Sequence, residues 1–247
     1  MPLLVVRFLA VRVLELWRYP VKSLQGEQLD SVAITPGGLE GDRRFAIFDV
    51  ETGFGLTARR FPELLLASAR TLADGTVDIG LPDGSTAAGD EALSAWLGRR
   101  VALRTADAQA TRHYENPMDF EHEEEAEWAP FNGAPGAFHD SASTRVSLVS
   151  TGTLGAWDRR RFRSNLLLDG GGEDSLVGSM VAVGDAVLHV GKRIGRCVMT
   201  TRPQPGGIER DLGVLRSIHR DRDGCLAVGA RVVQAGRVRL GDRVVAR

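Results

Sequence analysis

Short runs of alternating apolar and polar residues, each closed by a Gly- or Pro-containing turn, narrow the folds open to this chain more than any other feature. Val32 and Ile34 alternate ahead of Pro36-Gly37-Gly38, and Arg44-Phe45-Ala46-Ile47-Phe48 leads into Glu51-Thr52-Gly53. Val77, Ile79 and Leu81 alternate before Pro82-Asp83-Gly84, and strand character resumes at Val101-Ala102-Leu103. Beyond residue 143 come Val146-Ser147-Leu148-Val149 and Leu166-Leu167-Leu168, the latter ending at Asp169-Gly170-Gly171-Gly172. Gly184-Asp185 then precedes Ala186-Val187-Leu188, and Gly241-Asp242 precedes Val244-Val245. Many short strands with Gly-rich corners predict a small barrel.

Helical periodicity is brief. Asp90 is a candidate N-cap for a helix whose Leu93, Trp96 and Leu97 share one face, and Gly98 suits the position after its end. A second helix is expected through Leu154, Trp157 and Arg161, and a third over Ile208, Leu212, Leu215 and His219. From 107 to 143 the periodicity is lost. That stretch carries EHEEEAE (residues 121–127), Pro130, Gly133, Pro135 and Gly136. It predicts an irregular acidic connecting segment between domains at 11–106 and 144–247. The acidic run reads as a solvated loop or a docking surface for a basic partner.

Charge and cysteine usage exclude whole classes of function. A formal net charge of -1 gives no field for a nucleic-acid backbone. No apolar run reaches the roughly 20 residues of a membrane helix. The hydrophobic start, MPLLVVRFLAVRVLEL, is broken by Arg7 and Arg12 and lacks a small-residue cleavage site, so a strand lead-in or a short extension is expected rather than an export signal. The two cysteines, Cys197 and Cys225, are too few for a disulfide framework, which predicts a cytoplasmic protein. They are also too few for a four-thiolate iron–sulfur cluster. His113, His122 and His139 match no compact metal motif, and no GxSxG, Walker, GxGxxG-after-strand or HExxH pattern is present.

Cys197 lies in GKRIGRCVMTTRPQPGG, with Lys192, Arg193 and Arg196 before it and Thr200 and Thr201 after it. Neighbouring cations favour a thiolate, which is both a nucleophile and a soft metal ligand. A buried structural cysteine is the other reading, and the local residues leave both open. Cys225, at the start of the apolar run Leu226-Ala227-Val228, reads as a core residue. Only two of the 31 basic residues are lysine, Lys22 and Lys192. In Tyr19-Pro20-Val21-Lys22-Ser23 an ammonium and a hydroxyl stand together, which suits a phosphate or a surface turn. Gly41-Asp42-Arg43-Arg44 and Arg161-Phe162-Arg163-Ser164-Asn165 add further basic groups.

In this order the clusters resemble the MOSC family, in its members with an N-terminal β-barrel domain. The resemblance rests on LWRYPVKSLQGEQLDSVAITPGGLEGDRRFAIFD and LTARRFPELL, then on RFRSNLLLDG, VGDAVLHVGKRIGRCVMTT and GARVVQAGRVRLGDRV. It spans roughly residues 11 to 245. It implies an α+β fold, predominantly β: an N-terminal β-barrel-like domain plus a C-terminal MOSC β-barrel with a few short helices. In relatives such as the mitochondrial amidoxime-reducing component, the cysteine of the RC motif ligates molybdenum, a role that falls on Cys197. The PVKS motif points to Lys22 and Ser23 as cofactor-binding, and the GDR motif to Arg43. The RFRPN motif points to Arg163 and Asn165, with Ser164 in place of the usual proline. A Thr-Ser pair ahead of the second-half strand corresponds to Ser143 and Thr144.

The implied cofactor is the molybdenum cofactor, Mo-molybdopterin. The implied activity is reduction of small N-oxygenated (N-hydroxylated) compounds, with electrons from a separate ferredoxin- or flavoprotein-type donor and with no nucleic acid or membrane as partner. Two rival readings are a non-catalytic cofactor carrier or sulfur-transfer protein, and a β-barrel interaction module with a structural cysteine. Relatives follow the cysteine with TTVDPDTG or close to it. Here Arg202, Pro203 and Pro205 replace the acidic residues, a change expected to bear on substrate choice or docking.

Overall fold

The computed structural model describes residues 11–106, 112–119 and 125–247. Residues 1–10 of the hydrophobic start, and His122 with residues 121–124 of the acidic run, lie outside the described residues. The chain is α+β and predominantly β. Among the described residues, no helix is long and apolar enough to cross a membrane.

The largest element is an eight-stranded sheet. Its order is Val244–Ala246, Met180–Val183, Ala186–Gly195, Cys225–Gln234, Val146–Ser150, Leu166–Leu168, Val13–Arg18, Glu27–Leu29. The sheet curls until one end meets the start of the strand Val13–Arg18. Arg12 bridges to Arg243, and the Val244 amide donates to the Val11 carbonyl at 2.7 Å. A three-stranded ribbon of Gly236–Arg239, Ser31–Thr35 and Gly38–Leu39 covers the open side. Its Val32, Ile34 and Val238 join Leu16, Leu148, Leu166 and Leu188 in one core.

The strands Val146–Ser150 and Leu166–Leu168 pair in parallel and are buried along their whole length. Strand alternation explains the continuous apolar run. Leu148, Leu166 and Leu168 face the barrel core, while Val149 and Leu167 face a second cluster with Val214 and Ile218 of the helix Leu212–Arg222.

A smaller unit is built on Phe45–Asp49 with Val101–Thr105, Ser68–Thr71 with Val77–Gly80, and the helix Gly89–Leu97. Ile47, Leu64, Leu65, Ile79 and Leu93 form its core. Strand pairing crosses the boundary read from the sequence: residues 13–39 pair and pack with strands beyond residue 144.

Three local expectations are corrected. Segment 107–143 contains a hairpin of His113–Pro117 with Trp128–Asn132. Its apolar residues do not alternate, and it is held instead by aromatic packing of Tyr114 against Phe48, ring centroids 6.0 Å apart. The helix Gly89–Leu97 starts after Ala88, not at Asp90, whose carboxylate accepts from the Leu103 amide at 2.8 Å. Gly98 does take the left-handed conformation at its end. The helix through Leu154 stops at Gly155, and Arg159–Arg161 forms a separate 3₁₀ turn.

Candidate functional site

The long strand Ala186–Gly195 delivers Arg196 and Cys197 to a corner. The Arg196 amide donates to the Gly224 carbonyl at 2.8 Å, and its guanidinium donates to the Leu226 and Phe162 carbonyls at 2.7 and 2.9 Å. Cys197 follows in extended conformation at the head of the 3₁₀ turn Val198–Thr201. The Thr200 amide and hydroxyl both donate to its carbonyl, at 3.1 and 3.0 Å. Its backbone is therefore fixed, while its half-buried thiol is free of a disulfide.

Cys197 lines a cavity of about 320 Å³. Of the residues read from the sequence, Arg43, Thr144, Arg163 and Asn165 line it as well. So do the flanking cations Lys192, Arg193 and Arg196, and further along the chain Arg145 and Arg161. These are seven cationic side chains against one carboxylate, Asp140. Lys22, Ser23 and Ser143 do not line it. The Lys22 ammonium is buried, bonded to the Asp140 carboxylate and to the Phe138 carbonyl, and stands 5.1 Å from the Tyr114 ring centroid. The Ser23 hydroxyl accepts from the Ala58 amide at 3.0 Å. Ser143 shares a hydrogen bond with Ser141, which does line the cavity.

The backbone at this site is unusual. Ser23, Arg43 and Arg163 all have positive φ, at 73°, 51° and 51°. A non-glycine residue there costs on the order of 1–3 kcal/mol and persists only where its surroundings impose it. Three of the five such residues among those described belong to the motifs that the resemblance singled out.

The electrostatics ask for an anion. Burial works against the Arg43 charge, but the Asp42 and Asp140 carboxylates outweigh it and hold the guanidinium more firmly charged than usual. For Arg163 the balance goes the other way: burial and then Arg43 bring it down to about 10, and Tyr19, Asp140 and Asp42 only partly oppose the fall. Burial likewise brings Arg196 down to about 10, although the field of Cys197 opposes the fall. Both remain charged at neutral pH, each with its charge under-compensated. Among the described residues, five buried polar atoms on residues lining the cavity, His139 Nε2, Thr144 Oγ1, Arg145 Nη1, Arg193 Nε and Arg196 Nη2, have no hydrogen-bond partner, although Arg193 Nε lies 3.4 Å from the Asp174 carboxylate. Asp140, 90% exposed on its side chain, is held well below the usual carboxylate range, chiefly by Lys22.

His139 gives this region a pH signature. Burial, reinforced by Arg43, lowers its pKa from 6.5 to about 4. An unfolded chain binds the proton near pH 6.5 and the folded chain does not until about pH 4, so stability is full above that window and falls as pH drops through it. His139→Gln should reduce the loss of unfolding free energy between about pH 7.5 and pH 5 by about 2 kcal/mol. Urea titrations at the two pH values measure this, and an unchanged pH dependence would remove His139 as its source.

A larger and more open cleft of about 590 Å³ lies between Trp17 and Trp157. Its charges are already paired, Glu15 with Arg159 and Asp158 with Arg160, and no thiol lines it. The smaller cavity is the one with chemistry. Among the described residues, no group of three or more His, Cys, Asp or Glu side chains is placed to hold a metal ion. The thiol of Cys197 and the surrounding cations would suit a metal that arrives within an anionic cofactor.

Residues 10–128 match the MOSC N-terminal beta barrel domain family, and residues 136–245 match the MOSC domain family. This is a MOSC-domain protein. The MOSC match contains Cys197, Arg163 and Asn165, and the N-terminal match contains Lys22, Ser23 and Arg43. Similar solved structures include the YUAD protein from Bacillus subtilis, 13% identical, covering 95% of this chain and 94% of that one with a TM-score of 0.43. YiiM from Geobacillus stearothermophilus is 18% identical over 55% of this chain and 72% of its own, with a TM-score of 0.36. A structure titled a hypothetical protein is 11% identical over 96% of this chain and 67% of its own, with a TM-score of 0.44. No curated protein matches the MOSC chain as a relative.

Sequence reasoning missed Arg145, His139 and Asp140 as site residues. They lie in or beside the segment read as an irregular linker, where no periodicity marks a side chain's direction. The altered loop after Cys197 is fixed in place. The buried Gln204 accepts from Gln25 of the N-terminal half, and Arg160 donates to the Pro205 carbonyl at 2.7 Å.

Proposed function

We propose that this MOSC-domain protein holds the molybdenum cofactor in the Cys197 cavity and reduces small N-hydroxylated compounds, as the amidoxime-reducing relatives do. The observation that carries this reading is a half-buried, uncommitted thiol inside a cavity with seven cationic side chains and unpartnered buried polar atoms. A pyranopterin brings a phosphate and a dithiolene, so it needs cationic donors at one end and a soft sulfur ligand at the metal. Cys197 would supply that sulfur. Arg43, Arg163, Arg145 and Thr144 would grip the anionic parts, and Arg196 adds a further cation to the cavity wall. Asn165 forms part of the wall, and Lys22 acts through Asp140. Ser23 shapes the PVKS turn and Ser143 orders the Ser141 side of the cavity.

When bound, the cofactor supplies two-electron chemistry that the chain's own side chains cannot perform. In the overall reaction the N–O bond breaks, two electrons enter from the donor and two protons from solvent, and an amine-type product and water leave. The donor is proposed to be a separate ferredoxin- or flavoprotein-type protein in the cytoplasm, since two cysteines cannot hold an iron–sulfur cluster of the four-thiolate kind.

The test uses protein purified with its molybdenum, reduced viologen as donor, and a hydroxylamine or amidoxime as substrate. Product formation proportional to molybdenum content is the expected result. Molybdenum near one atom per chain with no turnover on any substrate would overturn the reductase reading and leave a cofactor carrier.

A further inference from the structure

We propose that Tyr19 is a positioning residue whose ring holds the guanidiniums of Arg43 and Arg163 together on the cavity wall, ready for an anion. The proposal rests on the reading of the cavity as an anion site, and goes beyond it in naming what assembles that site. Tyr19 is 1% exposed and does not line the cavity. It acts entirely through its neighbours.

Two like charges over one ring, Arg163 buried and Arg43 half-buried, need a reason to stay there. The Arg43 Nη2 donates to the Arg163 carbonyl at 3.4 Å, so the two residues meet although they are 120 positions apart. Asp42, with its side chain fully buried, pairs with Arg43, but among the described residues Arg163 has no carboxylate bonded to it and donates instead to the Leu24 carbonyl. The Tyr19 ring supplies the shared counterweight. The Arg43 guanidinium carbon stands over it at 5.1 Å from the centroid and that of Arg163 at 4.5 Å. The electron-rich face of an aromatic ring attracts cations at such distances, most strongly when they are out of water.

The backbone repeats the arrangement. The Arg43 amide donates to the Tyr19 carbonyl at 2.7 Å, and the Tyr19 amide donates to Asp42 at 2.8 Å. At its far end the Tyr19 hydroxyl donates to the carbonyl of Ser164, next to Arg163, at 3.3 Å. One residue thus ties together both of the arginine backbones that take the left-handed conformation. The seat of the ring is itself reserved by Gly26. A Cβ there would lie 2.7 Å from Tyr19 Cδ1 and 2.1 Å from the Arg18 carbonyl oxygen.

The test keeps the ring's size and changes its electron density. Full-length protein carrying Tyr19→Phe, and then phenylalanines of increasing fluorination up to pentafluorophenylalanine at position 19, is titrated with inorganic pyrophosphate by calorimetry at fixed ionic strength. The Phe variant should bind within about twofold of wild type. Affinity should fall with each added fluorine, to about tenfold weaker for the pentafluoro ring. Packing alone would not produce that graded loss. Equal affinity across the fluorinated series overturns the role of Tyr19. A wild-type protein that does not bind pyrophosphate overturns the anion reading of the cavity and this proposal with it.

Discussion

Cys197→Ser should fold normally and retain less than about a tenth of the molybdenum of the wild-type protein. Serine is close in size, and the Cys197 side chain makes no capping bond to the 3₁₀ turn that follows. The bonds that fix this corner come from its backbone carbonyl, which serine keeps. Stability should therefore change by no more than about 0.5 kcal/mol, as for a substitution away from a packed core. What is lost is the soft ligand: a hydroxyl is a hard donor, whereas sulfur matches a soft metal site. Elemental analysis of freshly purified protein reads the effect directly. The cations that would grip the organic part, Arg43, Arg145 and Arg163, are untouched, so oxidised pterin released from the variant should decline less than the metal. Cys225→Ser, outside the cavity lining, should keep its molybdenum. Equal metal content in Cys197→Ser and wild type would remove Cys197 as the ligand.

The parts of this site that the sequence made legible are those whose signal is local. An apolar run before a turn marked the strand at 45–49, alternation placed that at 77–80, and the Gly-Asp corners marked those at 186 and 244, because a strand and its turns leave their signal in neighbouring residues. Period tells which face a residue occupies, not which strand will pair with it. The strand Val13–Arg18 therefore read as part of an N-terminal domain, although it pairs with Leu166–Leu168. The hairpin 113–117 with 128–132 left no such trace: its residues HYENP and WAPFN lack alternation, and Tyr114 is held by Phe48 and Phe131. Cys197 was legible through its basic flank. Asp140 was not, since a lone carboxylate in a loop acquires meaning only when the fold brings Lys22 to it from 118 positions away.

Asn165→Ala should destabilise the fold itself by about 2–4 kcal/mol, whether or not cofactor is bound. The resemblance points to Asn165 as a cofactor-binding residue, and it lines the cavity, yet most of its polar capacity is spent inside the protein. It is 2% exposed. Its carboxamide oxygen accepts from the Ser147 amide at 3.1 Å and the Ser147 hydroxyl at 2.9 Å. Its carboxamide nitrogen donates to the Trp17 carbonyl at 3.1 Å, and its own carbonyl accepts from the Trp17 amide at 2.8 Å. Asn165 thereby ties the strands Val13–Arg18 and Val146–Ser150, one from each half of the chain, across the short strand Leu166–Leu168 that follows it. Alanine would strand the Ser147 amide and the Trp17 carbonyl and leave the Ser147 hydroxyl, which still accepts from the residue-165 amide, without its acceptor, and unpaired buried groups cost far more than a hydrogen bond to water would return. A thermal midpoint lowered by roughly 5–12 °C in cofactor-free protein is the expected reading for a chain of this size. An unchanged midpoint with reduced molybdenum content would make Asn165 a ligand-gripping residue instead. The expected result makes the joining of the two halves a precondition of the site: the same side chain that shapes the cavity wall holds together the strands that carry Tyr19 to it.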